Sequence, residues 1–378
     1  MATQYKNKVL TAREAVRLIK DGTTVTTGGF CGAGVAEDIV LEIEKHYLET
    51  RSPANLTLVY GAGQGDFSPR GRGMGHLGHE GLVGKIIGGY YGASPNLSRF
   101  VIENKIPGYN LPQGVLSQMF RDIAARKPRT ISTVGLKTFV DPRLEGGRVN
   151  AMTTEPIVEL VSFDGQEYLA YKTFPIDVAI LRGTTADEDG NITMEREALT
   201  LETQAQAMAA KSGDGIVIVQ VEQIVQRGTL HPKQVVIPGV LVDAIVVADK
   251  NHHWQTFAEM YNASFSGEAK VPMASVPRIE MSARKIIARR AAFELQPGAT
   301  VNLGIGMPEG IANVANEEGV LNMVTLTAEP GVIGGMPASG LNFGAAYNPQ
   351  AIIAQPAQFD FYHGGGLDVA FLGLAQAD

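Results

Sequence analysis

Short runs of apolar residues alternate along this chain with longer stretches in which apolar and polar residues follow a helical period. Runs such as GIVIVQV and DAIVVAD are rich in β-branched residues and predict buried strands. The segment TLETQAQAMAAK, which lies before GIVIVQV, has the composition of a helix. Strands that alternate with helices predict an α/β fold with a largely parallel sheet.

The same order of predicted elements occurs twice. Residues 11–40 and 282–314 each begin with a capped helix, continue into a β-branched strand and reach a Gly-rich turn. Thr11 and Glu14 have the spacing of a capping box, and Ser282 is a predicted N-cap. Self-similarity of this kind indicates one structural unit used twice.

A second matching pair lies further along, because DVAILRGTTAD at 177–187 is similar to DVAFLGLAQAD at 368–378. We therefore predict two tandem homologous open parallel-sheet domains. The second copy is incomplete, since the first continues well beyond Asp187, the counterpart of Asp378. This predicts either a longer chain or a separate C-terminal fragment as a partner. The predicted boundaries are an N-terminal domain at 1–261, a linker at 262–280 with Gly and Pro, and a C-terminal domain at 281–378.

Composition narrows the class of protein. The 378 residues have a formal net charge of -7, which argues against a nucleic-acid partner. The only cysteine, Cys31, excludes an internal disulfide and fits a reducing compartment. The N-terminal residues lack the pattern of a signal peptide, and no apolar run is long enough to span a membrane. We expect a cytoplasmic protein that does not bind membranes.

One charged residue stands alone at a predicted strand end. The run NMVTLT leads into Ala328-Glu329-Pro330-Gly331. Pro330 favours an extended backbone at Glu329, and Gly331 permits a positive φ or a close backbone approach. Ligands of open α/β sheets bind beyond the carboxyl ends of strands, so Glu329 is a candidate nucleophile. From the residues alone, a solvated turn glutamate is an equal alternative.

Together, the Gly-rich turns resemble those of family I coenzyme A transferases of the acetate or propionate type, and the resemblance extends over the whole chain. Two residues depart from the family pattern: His363 stands where an acidic residue is expected, and Pro330 replaces a small residue. The motifs that support the resemblance are GGFCGAG at 28–34, LPQG at 111–114, SARKIIARRAAFEL at 282–295, NLGIGMPEG at 302–310, AEPGVIGGMPASGLNFG at 328–344 and FYHGGGLDVAFLGLAQAD at 361–378.

The resemblance implies roles for individual residues. Glu329 becomes the glutamate that carries CoA as a glutamyl thioester. Gln113, with Gly29 and Phe30, lies near the substrate carboxylate. The resemblance implies no metal and no other cofactor, because CoA itself is a substrate. The predicted backbone donors to CoA or to the oxyanion are Gly304, Ile305, Gly306, Gly364, Gly365 and Gly366.

The implied reaction is a ping-pong transfer of CoA between a short-chain acyl-CoA and a free short-chain carboxylate of the acetate, propionate or butyrate class. The implied partners are acyl-CoA, the carboxylic acid and further copies of the chain in a homo-oligomer. A glutamate is ionised at pH 7 and needs no general base to act as a nucleophile. Two alternatives remain, an acyl-CoA hydrolase on the same scaffold and a non-catalytic ligand-binding protein of the same fold.

Three weaker signals favour structural roles. A G-x-G-x-x-G sequence at 73–78 matches a dinucleotide-binding pattern, but it follows no predicted strand. His76 and His79 have a metal-ligand spacing but lack further ligands, so a solvated or core role is favoured. Cys31, within a Gly-rich turn, is interpreted as a small buried residue rather than as a nucleophile.

Overall fold

A computed structural model of the chain describes residues 8–69, 71–374 and 376. They form two compact units. The chain enters the second unit briefly at Arg196–Leu201, returns to the first, and continues in the second from Trp254 onwards. The segment predicted as a linker, 262–280, lies in the second unit. The first unit comprises Met1–Glu195 and Glu202–His253, and the second comprises Arg196–Leu201 and Trp254–Asp378.

The first unit contains fifteen strands and five α-helices within its described residues. The strands are β1 Val9–Leu10, β2 Thr24–Thr27, β3 Leu56–Tyr60, β4 Val83–Gly88, β5 Gly108–Asn110, β6 Arg129–Ser132, β7 Val158–Phe163, β8 Gln166–Lys172, β9 Val178–Arg182, β10 Thr185–Asp187, β11 Ile192–Thr193, β12 Ile216–Val221, β13 Gln223–Val225, β14 Val235–Ile237 and β15 Ala244–Val247. The helices are α1 Ala12–Val16, α2 Glu37–Thr50, α3 Pro95–Ile102, α4 Gln113–Ala124 and α5 Thr203–Ser212.

A single eight-stranded sheet organises the first unit, in the order β1-β15-β12-β9-β2-β3-β4-β5. Every neighbouring pair in it is parallel. This confirms the predicted α/β fold with a largely parallel sheet. Two smaller sheets, β13-β10-β11-β14 and β6-β8-β7, accompany it.

The large sheet is covered on both faces, which explains its nearly continuous apolar strands. Along β9, Val178 and Ile180 belong to one hydrophobic core, while Ala179 and Leu181 belong to another. Successive side chains of a strand point to opposite faces, so two cores require two covering layers. One core contains side chains of α2, and the other contains side chains of α4 and α5. Both faces being buried is the usual condition of parallel sheets.

The second unit has a mixed sheet in the order β21-β18-β17-β16-β22. Strand β16 pairs in parallel with β17 and β22, whereas β18 is antiparallel to both β17 and β21. The antiparallel part arises because the chain reverses directly after β17. The elements are α6 Ala263–Ser266, α7 Ala283–Ala292, β16 Thr300–Leu303, α8 Glu309–Glu317, β17 Thr325–Ala328, β18 Val332–Ile333, β19 Met336–Pro337, β20 Ala346–Tyr347, β21 Ala351–Ile352, α9 Gln355–His363 and β22 Val369–Phe371.

The two DVA segments occupy equivalent places in their sheets. The Asp177 carboxylate accepts a hydrogen bond from the Thr24 N–H at 2.7 Å, and the Asp177 N–H donates to the Thr24 carbonyl at 2.9 Å. Asp368 makes the same two bonds with Thr300, at 2.8 and 3.0 Å. Each aspartate thus aligns the strand that follows it with β2 or β16, as expected of a repeat. Asp378 lies outside the described residues.

His76 and His79 take part in a carboxylate cluster against α2. His76 Nδ1 lies 2.6 Å from Glu44 Oε2, and its Nε2 lies 3.0 Å from Glu37 Oε1. His79 Nε2 lies 2.6 Å from Glu44 Oε1. Burial lowers the pKa of His76, but the hydrogen bonds to Glu37 and Glu44 outweigh it and raise the pKa to about 9. A protonated His76 therefore fixes the segment at 73–78 to α2.

Within the described part of the chain, no group of three His, Cys, Asp or Glu side chains could hold a metal ion. No helix there is long and apolar enough to cross a membrane.

The His76 cluster predicts a pH-dependent contribution to stability. Its pKa is raised from 6.5 to about 9, so the stabilisation is fully present below pH 6.5 and is lost as the pH rises through 9. The shift corresponds to up to about 3 kcal/mol. In urea unfolding, the difference in unfolding free energy between the wild type and His76→Gln should shrink between pH 6.5 and 9.

His231→Gln is the matched control, because His231 is exposed. Its effect on the unfolding free energy should be small across that range. A His76→Gln difference that stays constant from pH 6 to pH 9.5 would contradict the ionic role.

Candidate active site

Glu329 lies on a tight hairpin loop at the end of β17. Ala328 pairs with Val332 across β17 and β18, so the loop consists of Glu329, Pro330 and Gly331. The Gly331 N–H donates to the Ala328 carbonyl at 3.1 Å and closes the turn.

Gly331 has both of the features that its position predicted. Its φ is +114°, and a Cβ added there would lie 2.0 Å from the carbonyl oxygen of Ile353. Only glycine fits this close approach without moving the neighbouring backbone. The position of Glu329 thus depends on the residue two places after it.

The carboxylate of Glu329 is largely desolvated. Its side chain keeps limited access to solvent, but protein atoms surround the carboxyl group closely, and this burial raises the pKa of Glu329 above its ordinary value. Hydrogen bonds from its own backbone N–H and from Asn302 oppose the shift. The Asn302 Nδ2 donates to Glu329 Oε2 at 3.3 Å. Glu329 is therefore not a fully solvated turn residue.

A polar network connects Asn302 to helix α9. The Tyr362 hydroxyl donates to Thr327 Oγ1 at 2.8 Å, and Thr327 Oγ1 donates to the Val301 carbonyl at 3.1 Å. Asn302 Nδ2 also lies 3.4 Å from the Tyr362 hydroxyl and 3.3 Å from the Thr327 carbonyl. Burial raises the pKa of Tyr362 to about 12, so its phenol is neutral at physiological pH.

Sequence reasoning did not single out Asn302 or Tyr362, although both lie within motifs that it used. Strand pairing brings Asn302 to the site: Asn302 is the register partner of Thr327, two residues before Glu329. A polar residue on the strand beside a candidate nucleophile can thus be as close to it as the residues of its own turn.

The turn at 304–306 joins β16 to α8 and was predicted to supply N–H donors. The Gly304 N–H already donates to the Phe371 carbonyl at 2.9 Å. Within the described residues, the N–H group of Ile305 has no protein acceptor, whereas that of Gly306 interacts with the Glu309 carboxylate. The Ile305 side chain is 41% exposed. Of the three predicted donors in this turn, Ile305 is thus the one whose N–H hydrogen remains available.

The glycines at 364–366 have a different role from the one predicted. Their N–H groups donate to carbonyls of α9, so they are not available as donors to CoA or an oxyanion. The correction follows from a local rule, because glycines after a helix commonly satisfy its last carbonyls. The bonds run from Gly364 to Asp360 at 2.9 Å, from Gly365 to Tyr362 at 3.1 Å and from Gly366 to Phe361 at 2.9 Å.

In the first unit, the turn after β2 contains Gly29, Phe30 and Cys31. Gly29 has a φ of +149°, and a Cβ there would lie 2.9 Å from the side chain of Gln64. Phe30 is 3% exposed and Cys31 is 6% exposed. The burial of Cys31 fits its interpretation as a small core residue. Gly29 permits Gln64 to pack directly on the turn.

Gln113 is the first residue of α4. Its Nε2 is buried and has no hydrogen-bond acceptor among the described residues. Gly89, directly after β4, allows the start of α4 to lie against the backbone there, since a Cβ on Gly89 would be 3.1 Å from the Cα of Gln113. A buried donor without a partner costs about 1–3 kcal/mol.

Comparisons with known proteins agree on a family. The coenzyme A transferase family model matches residues 9–248. The caffeate CoA-transferase of Acetobacterium woodii is 50% identical over 372 residues, covering 98% of this chain and 71% of that protein. The acetate CoA-transferase YdiF of Escherichia coli K12 is 42% identical over 372 residues, covering 98% of this chain and 69% of that protein.

A solved structure is similar as well. The acyl-CoA transferase YdiF of Escherichia coli O157:H7, in a thioester complex with CoA, matches with a TM-score of 0.89 and 41% identity. The match covers 97% of this chain and 72% of that one.

The close approach at Gly331 predicts a large cost for Gly331→Ala. The new Cβ would overlap the Ile353 carbonyl, and the backbone conformation adds strain of roughly 1–3 kcal/mol. The urea midpoint of the second unit should fall well below that of the wild type. Gly319→Ala is the control, because Gly319 has a φ of +73° and no atom within 4 Å of the added Cβ. Equal losses in the two variants would show that the overlap is relieved cheaply.

Proposed function

The chain belongs to the coenzyme A transferase family, and on that premise we propose that it transfers CoA between a short-chain acyl-CoA and a free short-chain carboxylate through a thioester on Glu329. The enzyme is a CoA-transferase of family I, of the acetate type. The observation that supports the thioester most directly is the desolvated carboxylate of Glu329 on its glycine-dependent loop. The substrates are an acyl-CoA and a carboxylic acid, here assigned to the acetate, propionate and butyrate class.

The first half-reaction loads CoA onto the enzyme. A carboxylate oxygen of Glu329 attacks the thioester carbonyl of the acyl-CoA, and the C–S bond breaks, leaving a mixed anhydride and the CoA thiolate. The thiolate then attacks the glutamyl carbonyl. The anhydride C–O bond breaks, the acyl group leaves as its carboxylate, and Glu329 carries CoA as a thioester.

The second half-reaction runs the same steps backwards with a different acid. The incoming carboxylate attacks the glutamyl thioester and releases the thiolate. The thiolate then attacks the acyl carbonyl of the new anhydride, which forms the new acyl-CoA and restores the Glu329 carboxylate. No proton is transferred at any step, so the mechanism needs no general acid or base.

Burial of Glu329 favours this chemistry. A carboxylate with few water contacts gives up little solvation when it attacks, and its raised pKa accompanies greater basicity. The Asn302 amide keeps one oxygen in place at 3.3 Å and leaves the other oxygen for the attack.

Each tetrahedral intermediate has an oxyanion that needs donors. The N–H group of Ile305 is the one we assign to it, because Ile305 follows β16, the strand that carries Asn302, and its N–H has no protein acceptor in the described chain. The unpartnered Nε2 of Gln113 is assigned to the carboxylate of the acceptor acid.

The name of one relative specifies acetate and that of the other caffeate, so the acid must be determined by assay. Initial rates with acetate, propionate, butyrate and caffeate as acceptors for acetyl-CoA would rank them. Activity that persists without any acceptor acid would identify a hydrolase instead.

Incubation with acetyl-CoA alone should place one CoA on Glu329, visible as an intact-mass adduct. Hydroxylamine or borohydride should trap it at that residue. Glu329→Ala should lose nearly all transfer, and Glu329→Asp should also fail, because about 1 Å of misplacement can cost on the order of 100-fold. Glu318→Ala, which changes an exposed glutamate of the same unit, should leave transfer unchanged. Wild-type turnover in Glu329→Ala would exclude the thioester mechanism.

Gln113→Ala should weaken the half-reaction that uses the free acid. The lost bond to a charged group is worth about 1.5–3 kcal/mol, a factor of roughly 10–150. CoA loading from acetyl-CoA should change less, and the two half-reactions can be separated by rapid quench. Gln166→Ala, at an exposed position of the first unit, is the control. If both half-reactions slow equally, Gln113 has another role.

A further inference from the structure

The Asn302 amide has more acceptor oxygens nearby than hydrogens to donate. Its Nδ2 carries two hydrogens, yet three oxygens lie at hydrogen-bond distance. They are Glu329 Oε2 at 3.3 Å, the Thr327 carbonyl at 3.3 Å and the Tyr362 hydroxyl at 3.4 Å. The hydrogens must therefore be shared, and the sharing depends on how strongly each oxygen accepts.

The direction of the network is fixed at its far end. The Val301 carbonyl can only accept, so the Thr327 hydroxyl donates to it at 3.1 Å. The Thr327 oxygen then accepts the Tyr362 hydrogen at 2.8 Å. With its one hydrogen committed, the phenol oxygen of Tyr362 can only accept from Asn302. Tyr362 is thus a neutral competitor of Glu329 for the same amide.

We propose that Tyr362 is a positioning residue that takes up the Asn302 hydrogen when Glu329 changes from a carboxylate to a thioester, and returns it when the carboxylate is restored. This inference rests on the proposed function of Glu329. An ionised carboxylate is a much stronger acceptor than a phenol, whereas a thioester carbonyl is a weak one. The amide therefore keeps a partner in both covalent states and does not have to rotate away between half-reactions.

The phenol is held where this exchange requires it. The Tyr362 carbonyl accepts the cap bond from Gly365 at 3.1 Å, which fixes the last turn of α9. Gln358, one turn earlier, is 0% exposed, and its amide approaches the phenol without reaching hydrogen-bond geometry. The Tyr362 hydroxyl is therefore anchored by Thr327 rather than by its own helix.

Few charged groups lie near Glu329, so the effect of Tyr362 on the pKa of Glu329 can be measured. Tyr362 is the titratable group that faces it from α9, and with a pKa of about 12 it stays neutral during the assay. The other titratable groups of α9, Asp360 and His363, interact with each other. Asp368, which precedes β22, bonds to the Thr300 N–H at the opposite end of β16.

The test is the pH dependence of CoA loading in Tyr362→Phe. Loading of the wild type should fall as the pH drops through the raised pKa of Glu329, because the protonated acid is not nucleophilic. Without the phenol oxygen, Asn302 donates more fully to the carboxylate and lowers its pKa. In Tyr362→Phe, the acid limb, which is the low-pH side of the curve of loading rate against pH, should move to lower pH by about half a unit. That shift is roughly a threefold change in the carboxylate fraction on the limb. A purely structural defect would lower the plateau without moving the limb.

Thr327 supplies a second pair of variants in case Tyr362→Phe folds poorly. Thr327→Val removes the oxygen that holds the phenol hydrogen, so the phenol can turn and release Asn302, and the acid limb should move in the same direction. Thr327→Ser keeps the hydroxyl and should retain the wild-type limb. In the Tyr362→Phe background, Thr327→Val should add little, because the two act on one network. Tyr347→Phe, at a tyrosine of the same unit packed on Phe265, is the control and should leave the limb in place.

The outcomes separate this inference from the proposed function. A wild-type enzyme that forms no adduct on Glu329 would overturn the proposed function and this inference with it. Normal loading with an acid limb that does not move in Tyr362→Phe or Thr327→Val would overturn the role of Tyr362 alone.

Discussion

The close approach of Gly331 to the Ile353 carbonyl is the contact on which the arrangement of the site depends. It lets β17 reverse within three residues and leaves Glu329 at the turn, where protein atoms replace most of its water. Desolvation disfavours the charged form of a carboxylate, so such a position is unstable unless donors offset part of the cost. Asn302, on the neighbouring parallel strand, supplies that donor, and its own position is fixed by strand pairing.

Two glutamines, one in each unit, have polar groups that the folded chain leaves without partners. The Nε2 of Gln113 and the amide of Gln358 are buried without hydrogen bonds among the described residues. Buried unpaired donors and acceptors reduce stability, and they are found where function requires them or where the rest of the structure compensates. The eight-stranded sheet of the first unit, with a core on each face, is large enough to compensate at Gln113.

Much of this structure could be predicted from the sequence, because it is determined by local patterns. β-Branched runs predicted the parallel sheet, and the Pro-Gly pair after an apolar strand drew attention to Glu329. Asn302 and Tyr362 were missed because their relevance depends on strand register and on the rotation of α9, which a single sequence does not specify. The glycines at 364–366 were misinterpreted for the opposite reason: a strictly local rule, the capping of a helix end, applied to them, and the resemblance to a family obscured it.

The aspartates at 177 and 368 have a consequence for how such a chain can change in length. Each aspartate both accepts a hydrogen bond from and donates one to the first residue of the neighbouring strand. The register of β9 and of β22 is therefore set by the aspartate directly before the strand and does not depend on the chain upstream of it. In the first unit, the chain leaves the large sheet after β5, builds the separate three-stranded sheet β6-β8-β7 and returns correctly aligned at Asp177. Insertions and deletions in the loops of that three-stranded sheet can therefore accumulate without shifting the pairing of β9 with β2.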